Sequence, residues 1–176
     1  KVICLTHGGQ LMEEARHNGV PVLEIAYQGE PRTNLGYSFL APLAILQNIG
    51  RIPAHDNGVS EGLALLSAMA KKWGEEVPVG ENSPKQIANQ LYGHTPVIYG
   101  AGFLDSAAYR WKTQMNENAK NWAFVESIPE IHHNSIAGYQ FPATPRNFFV
   151  VMLSSSNLHP RIHIRFEETV SLLREN

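Results

Sequence analysis

The stretch YRWKTQMNENAKNWAFVESIPEIHHNSIAG, residues Tyr109–Gly138, decides the fold. It opens as an amphipathic helix and ends that helix in a polar segment, Asn116, Glu117, Asn118 and Lys120. A short apolar strand follows over Trp122–Val125, then a turn at Pro129-Glu130, then His132-His133-Asn134. A helix feeding a short apolar strand through a tight connection is one step of a parallel α/β fold. Carboxylate, imidazole and amide side chains arrive in this one strand-and-helix unit, and these are the groups that move protons at neutral pH.

Outward from this stretch the alternation continues. The helix extends back to Phe103 and is predicted over Phe103–Lys120, after a strand at Pro96–Tyr99 and a short helix at Pro84–Tyr92. Downstream, the run Phe148–Leu153 (FFVVML) is too continuous for a one-faced antiparallel strand and reads as a buried parallel one. A helix-like pattern closes the chain from Arg165. Upstream, Val2–Leu5 and Val20–Ile25 read as strands around a helix opened by Gly8-Gly9, with Gly19 at its C′ position. Asn34–Ile49 is helical and apolar almost all round, which predicts burial on several sides. Gly50–Gly58 has loop chemistry and Ser60–Trp73 is an amphipathic helix. The polar, Gly- and Pro-containing segment Gly74–Pro84 sets the boundary.

The composition is that of an ordinary globular protein: 176 residues, 43% hydrophobic, 17% charged, formal net charge −2. No basic tract points to nucleic acid, and no apolar run approaches a membrane span. The lone cysteine, Cys4, lies in an apolar strand pattern, reads as a small buried hydrophobe and suits a reducing cytoplasm.

Individual residues have competing readings. Glu117, late in its helix, is by spacing alone a solvated carboxylate within reach of Lys120 or Lys112. Ser127-Ile128-Pro129-Glu130 fits a capping box, which gives Glu130 a structural task at a helix start. His133 reads as a polar turn residue or as an acid/base group, since imidazole titrates near physiological pH. Arg32, after Pro31, reads as a surface arginine. Gly100-Ala101-Gly102 reads as a close-packed strand–helix turn, because Asp105 in the first helical turn repels an anion. Ser154-Ser155-Ser156 reads as a polar loop after a strand, and no His or Cys spacing marks a metal site.

Asn116-Glu117-Asn118-Ala119-Lys120, then Pro129-Glu130 and His133-Asn134, resemble the second sugar-isomerase (SIS) domain of the bifunctional phosphoglucose/phosphomannose isomerases. Gly8-Gly9, Gly19-Val20-Pro21-Val22, Pro31-Arg32 and Leu35-Gly36-Tyr37 resemble the end of that family's first SIS domain. The resemblance implies an α/β fold, a parallel-sheet, flavodoxin-like three-layer sandwich of SIS type. Residues 1–49 would be the C-terminal part of the first SIS domain. Residues 50–83 would be a linker with one helix, and 84–176 a second SIS domain, truncated at its C-terminus.

The resemblance also implies an aldose–ketose isomerase of carbohydrate metabolism. It would interconvert glucose 6-phosphate, and mannose 6-phosphate, with fructose 6-phosphate through a cis-enediolate. Glu117 would shuttle the proton between C1 and C2, and His133 would open the pyranose ring. Arg32 would face the developing enediolate oxygen, and Asn134 would sit beside the substrate. The partner is a phosphorylated hexose, with no cofactor, no nucleic acid and no membrane. A cytoplasmic homodimer follows, with His133 reaching the neighbouring subunit's site.

The sequence departs from the family pattern in three ways. His132 precedes His133 where the family has a non-histidine, no lysine follows Lys120 to complete the site, and the Ser/Thr-rich phosphate loop is missing. The expectation is therefore a partial chain with little isomerase activity alone, its sheet edges covered by a partner chain or by self-association. The rival is a noncatalytic SIS module that senses a phosphosugar. Such a module has no use for the trio Arg32, Glu117 and His133. An amidotransferase-like SIS enzyme is a third reading.

Overall fold

The computed structural model of the chain describes residues 2–139 and 147–175. It divides into two compact units, Lys1–Ser67 and Ala68–Asn176. Both are α/β with parallel strands.

In the first unit, β1 (Cys4–Thr6) pairs in parallel with β2 (Val22–Glu24), and α1 (Gly9–His17) makes the crossover between them. Gly19 ends α1 as the sequence predicts. It takes φ 64° and donates to Arg16, while Val20 donates to the Ala15 carbonyl at 2.8 Å. These are the two bonds of a Schellman cap. Cys4 is buried, as its pattern implies. α2 (Leu35–Asn48) forms where expected, but no residue of it is buried and Phe39 is 62% exposed. This corrects the burial predicted for it. So small a unit has too little surface to cover a helix that is apolar all round. The first helical loop is also shorter than expected, because α3 (Asp56–Lys72) starts within the predicted loop segment. The division between the units falls inside α3.

The second unit is built on a three-stranded parallel sheet among the described residues, ordered β4 (Phe124–Ile128), β3 (Thr95–Ala101), β5 (Phe148–Met152). The register aligns Tyr99 with Glu126 on one side and with Met152 on the other. α4 (Ser83–Leu91) precedes β3, capped by the fully buried Asn82, whose Oδ1 accepts from the Lys85 N–H. α5 (Asp105–Glu117) links β3 to β4, and α6 (Pro160–Glu175) follows β5.

Side chains alternate across a strand, and β3 uses both faces. Tyr99 and Ala101 enter a core with Ile128, Ile131, Leu158 and Phe166 of α6. Gly100 points the other way, to α5. A Cβ there would lie 2.8 Å from Asp105 Cα and 2.9 Å from Ala108 Cβ. The sheet is thus sandwiched between helices, and the Gly100-Ala101-Gly102 turn is close-packed as its sequence predicts.

Two local readings are corrected. The helix predicted to Lys120 ends at Glu117, because Lys120 takes the left-handed φ of 54° and turns the chain out. The capping box at Ser127 does not form. Sheet pairing carries β4 through Ser127 to Ile128, and Ser127 Oγ donates to Asp105 Oδ1 at 3.0 Å. Glu130 instead begins a short 3-10 turn, Glu130–His132, with no side-chain cap. No helix among the described residues is long and apolar enough to cross a membrane.

Candidate functional site

Three of the four residues singled out by sequence lie in the second unit; Arg32 lies in the first. Glu117 is the last residue of α5 and is exposed. The helix C-terminus around it is closed by Lys120, whose Nζ donates to the Glu117 carbonyl at 2.6 Å. A cation on the last carbonyls is favourable at this end of a helix. The lysine thus meets the Glu117 backbone.

α5 runs back along the sheet, so Glu117 comes out at the edge where the strands begin. Asn121 Nδ2 donates to the carbonyl of His94, the residue before β3, at 3.1 Å. Asn116 Nδ2 donates to the Asn121 carbonyl at 2.9 Å and fixes the return into β4. An open, mostly apolar groove lies at the same edge, lined by Trp73, Leu91, Trp111, Met115 and Lys120 among others.

His133 and Asn134 lie at the opposite edge, beyond the end of β4. At about 3.3 Å per residue, a five-residue strand separates the two edges by about 16 Å. A single copy of the unit therefore does not bring Glu117 and His133 together. It does bring His133 and Asn134 together, in a turn tied at several points. His133 is exposed, and its backbone N–H donates to the Glu130 carbonyl at 2.9 Å. Asn134 Oδ1 accepts from the Ser135 N–H at 2.5 Å, and its Nδ2 donates to Glu130 Oε1 at 3.1 Å. Glu130 thus has a structural partner, though a different one from the cap its sequence implies.

Residues to which the sequence assigns no site role hold this turn to the sheet and to α6. His132 is half-buried, and its Nε2 lies 2.8 Å from Thr169 Oγ1. Thr169 is fully buried and spends its own proton on the Arg165 carbonyl at 2.7 Å, so the imidazole is the donor to it. Burial, and then the Arg165 charge, hold His132 below the ordinary histidine value. Ser135 Oγ donates toward Glu126 Oε1 on β4 at 3.0 Å. Tyr139 OH meets Tyr99 OH at 3.0 Å. Burial raises both phenols above their ordinary value, so they stay protonated. The His132–Thr169 and Tyr99–Tyr139 ties are long-range, and nothing in the local sequence signals them beyond the histidine doublet.

Arg32 sits in the 3-10 turn Pro31–Thr33, half-buried, with its guanidinium 3.1 Å from Glu30 Oε2. In the Ser154-Ser155-Ser156 loop, Ser155 Oγ accepts from the Asn157 N–H at 3.2 Å. No group of three or more His, Cys, Asp or Glu among the described residues is arranged to hold a metal ion.

This arrangement, a parallel sheet between helices with a polar turn beyond β4, agrees with a family model. The model of the bacterial phospho-glucose isomerase C-terminal SIS domain matches residues 80–176. The chain belongs to this SIS family. It is also similar to longer proteins along almost its whole length. A bifunctional phosphoglucose/phosphomannose isomerase of Caldicellulosiruptor bescii is 35% identical over 99% of this chain and 52% of its own length. The protein of that name from Aquifex aeolicus is 30% identical over 99% of this chain and 51% of its own. A D-glucosamine-6-phosphate 4-epimerase of Sulfolobus acidocaldarius is 31% identical over 79% of this chain and 42% of its own. The chain with this SIS domain spans about half the length of the curated relatives it matches.

Proposed function

We propose that this chain is part of an aldose–ketose isomerase that interconverts glucose 6-phosphate, and mannose 6-phosphate, with fructose 6-phosphate. The observation that carries the reading is the match of nearly the whole chain to relatives named bifunctional phosphoglucose/phosphomannose isomerase. Residues 1–49 are then the end of a first SIS domain and 84–176 the second.

In this reading His133 opens the pyranose by moving a proton between O1 and O5. Glu117 takes the C2 proton, giving a cis-enediolate, and returns it to C1. The Arg32 guanidinium stabilises charge that develops only on the way to that intermediate. Asn134 hydrogen-bonds the substrate. All steps are proton transfers between side chains and sugar, and the reading assigns them no cofactor. Glu117 is exposed and His133 lies at the far edge of the sheet. That separation supports a homodimer in which the His133 of one subunit serves the Glu117 of the other.

A specific observation favours a second reading, a phosphosugar epimerase: the named relative from Sulfolobus acidocaldarius. One experiment separates them. The complete gene product is incubated with glucose 6-phosphate, mannose 6-phosphate and glucosamine 6-phosphate in turn. Fructose 6-phosphate formed from the first two supports the isomerase. Inversion at C4 of the amino sugar, with no ketose formed, supports the epimerase.

A further inference from the structure

We propose that Glu126 is a positioning residue for His133, holding the turn that presents it. The inference rests on the reading of His133 as the ring-opening group. The segment from Glu130 to Tyr139 is tied to three different elements. His132 bonds Thr169 of α6, Ser135 bonds Glu126 of β4, and Tyr139 bonds Tyr99 of β3. His133 and Asn134, both exposed, lie between the first two ties. Two of the three tie points on the turn bracket His133 closely, and the carboxylate of Glu126 forms one of them. Glu126 sits directly opposite Tyr99 in the strand register, so its backbone is fixed by sheet pairing. The same hydroxyl that Glu126 receives lies 3.0 Å from Asn134 Oδ1, and Asn134 in turn bonds Glu130. A rigid strand thus reaches the turn through one carboxylate–hydroxyl bond. Loss of that bond frees the segment just after His133, and a small misplacement of an acid/base group is costly in rate.

Glu126→Ala, Glu126→Gln, Ser135→Ala and His133→Ala are made in the complete gene product. Each is assayed on glucose 6-phosphate and on 4,5-dideoxyglucose 6-phosphate, which lacks both hydroxyls that could close a five- or six-membered ring on C1. The expected result is a fall in kcat of about tenfold or more on the cyclic substrate for Glu126→Ala, with KM nearly unchanged. Its turnover of the open substrate is close to wild type, and Glu126→Gln, which still offers an acceptor oxygen, restores most of the loss. Ser135→Ala removes the hydroxyl, leaves the carboxylate and gives the same split; it decides the matter if Glu126→Ala does not fold. Equal losses on both substrates for Glu126→Ala and Ser135→Ala, with a cyclic-selective loss for His133→Ala, would overturn the positioning role alone. No cyclic-selective loss in His133→Ala would overturn the ring-opening reading and this inference with it.

Discussion

Glu117 and His133 stand at opposite edges of one parallel sheet, the first at the end of the helix that enters β4 and the second just beyond the strand's far end. The connection is direct in sequence, yet the strand between them holds them apart by about 16 Å. On the proposed reading, the site that uses both groups is assembled from two copies of the unit.

Mixing inactive variants tests this. Glu117→Gln and His133→Ala are expected each to lose isomerase activity. Mixed and allowed to exchange subunits, they should regain about a quarter of wild-type turnover, because each mixed dimer holds one site with both native groups. Activity that stays at the level of the separate variants after verified exchange would place both groups in one subunit's site.

His132 should make stability depend on pH. Burial and the Arg165 charge lower its affinity for a proton in the folded chain, while the unfolded chain protonates near the ordinary 6.5. The unfolded state then binds more protons as the pH falls, so stability is full above 6.5 and declines through it, levelling off once the folded imidazole also protonates. Thermal midpoints across that range should show the decline in the wild type and a shallower one in His132→Gln, which can still donate to Thr169. Identical profiles would contradict this.

Gly100→Ala should destabilise the second unit. Its Cβ would meet backbone and side-chain atoms of α5 at 2.8–2.9 Å, and the helix would have to move off the sheet. A loss of about 1–3 kcal/mol in denaturant unfolding is expected. A neutral effect would show that α5 is less tightly seated than its contacts imply.

Much of the fold was legible in the sequence because its signals are local. The alternation of apolar strands with helices, Gly19 past the end of α1 and the continuous run FFVVML all produce the element they predict. The misses have a common cause. Ser127 carries a helix-start pattern, but pairing with β3 wins over it. Lys120 ends a helix through a left-handed backbone that its residue type does not announce. α2 is apolar almost all round, yet its small unit buries none of its residues. At the candidate site the motif residues could be named from sequence, but their separation could not, since it depends on which edge of the sheet each connection reaches. The ties of His132 to Thr169 and Tyr139 to Tyr99 join residues far apart in the chain and leave no periodic trace.

On the proposed reading, Glu117 carries the proton between C1 and C2. The most direct measurement is deuterium exchange at C2 of glucose 6-phosphate in heavy water, followed by NMR, with the complete gene product and its variants. Wild type and Glu130→Gln are expected to exchange the C2 proton, and Glu117→Gln is expected not to while still binding the sugar phosphate. Exchange retained in Glu117→Gln and lost in Glu130→Gln would contradict it.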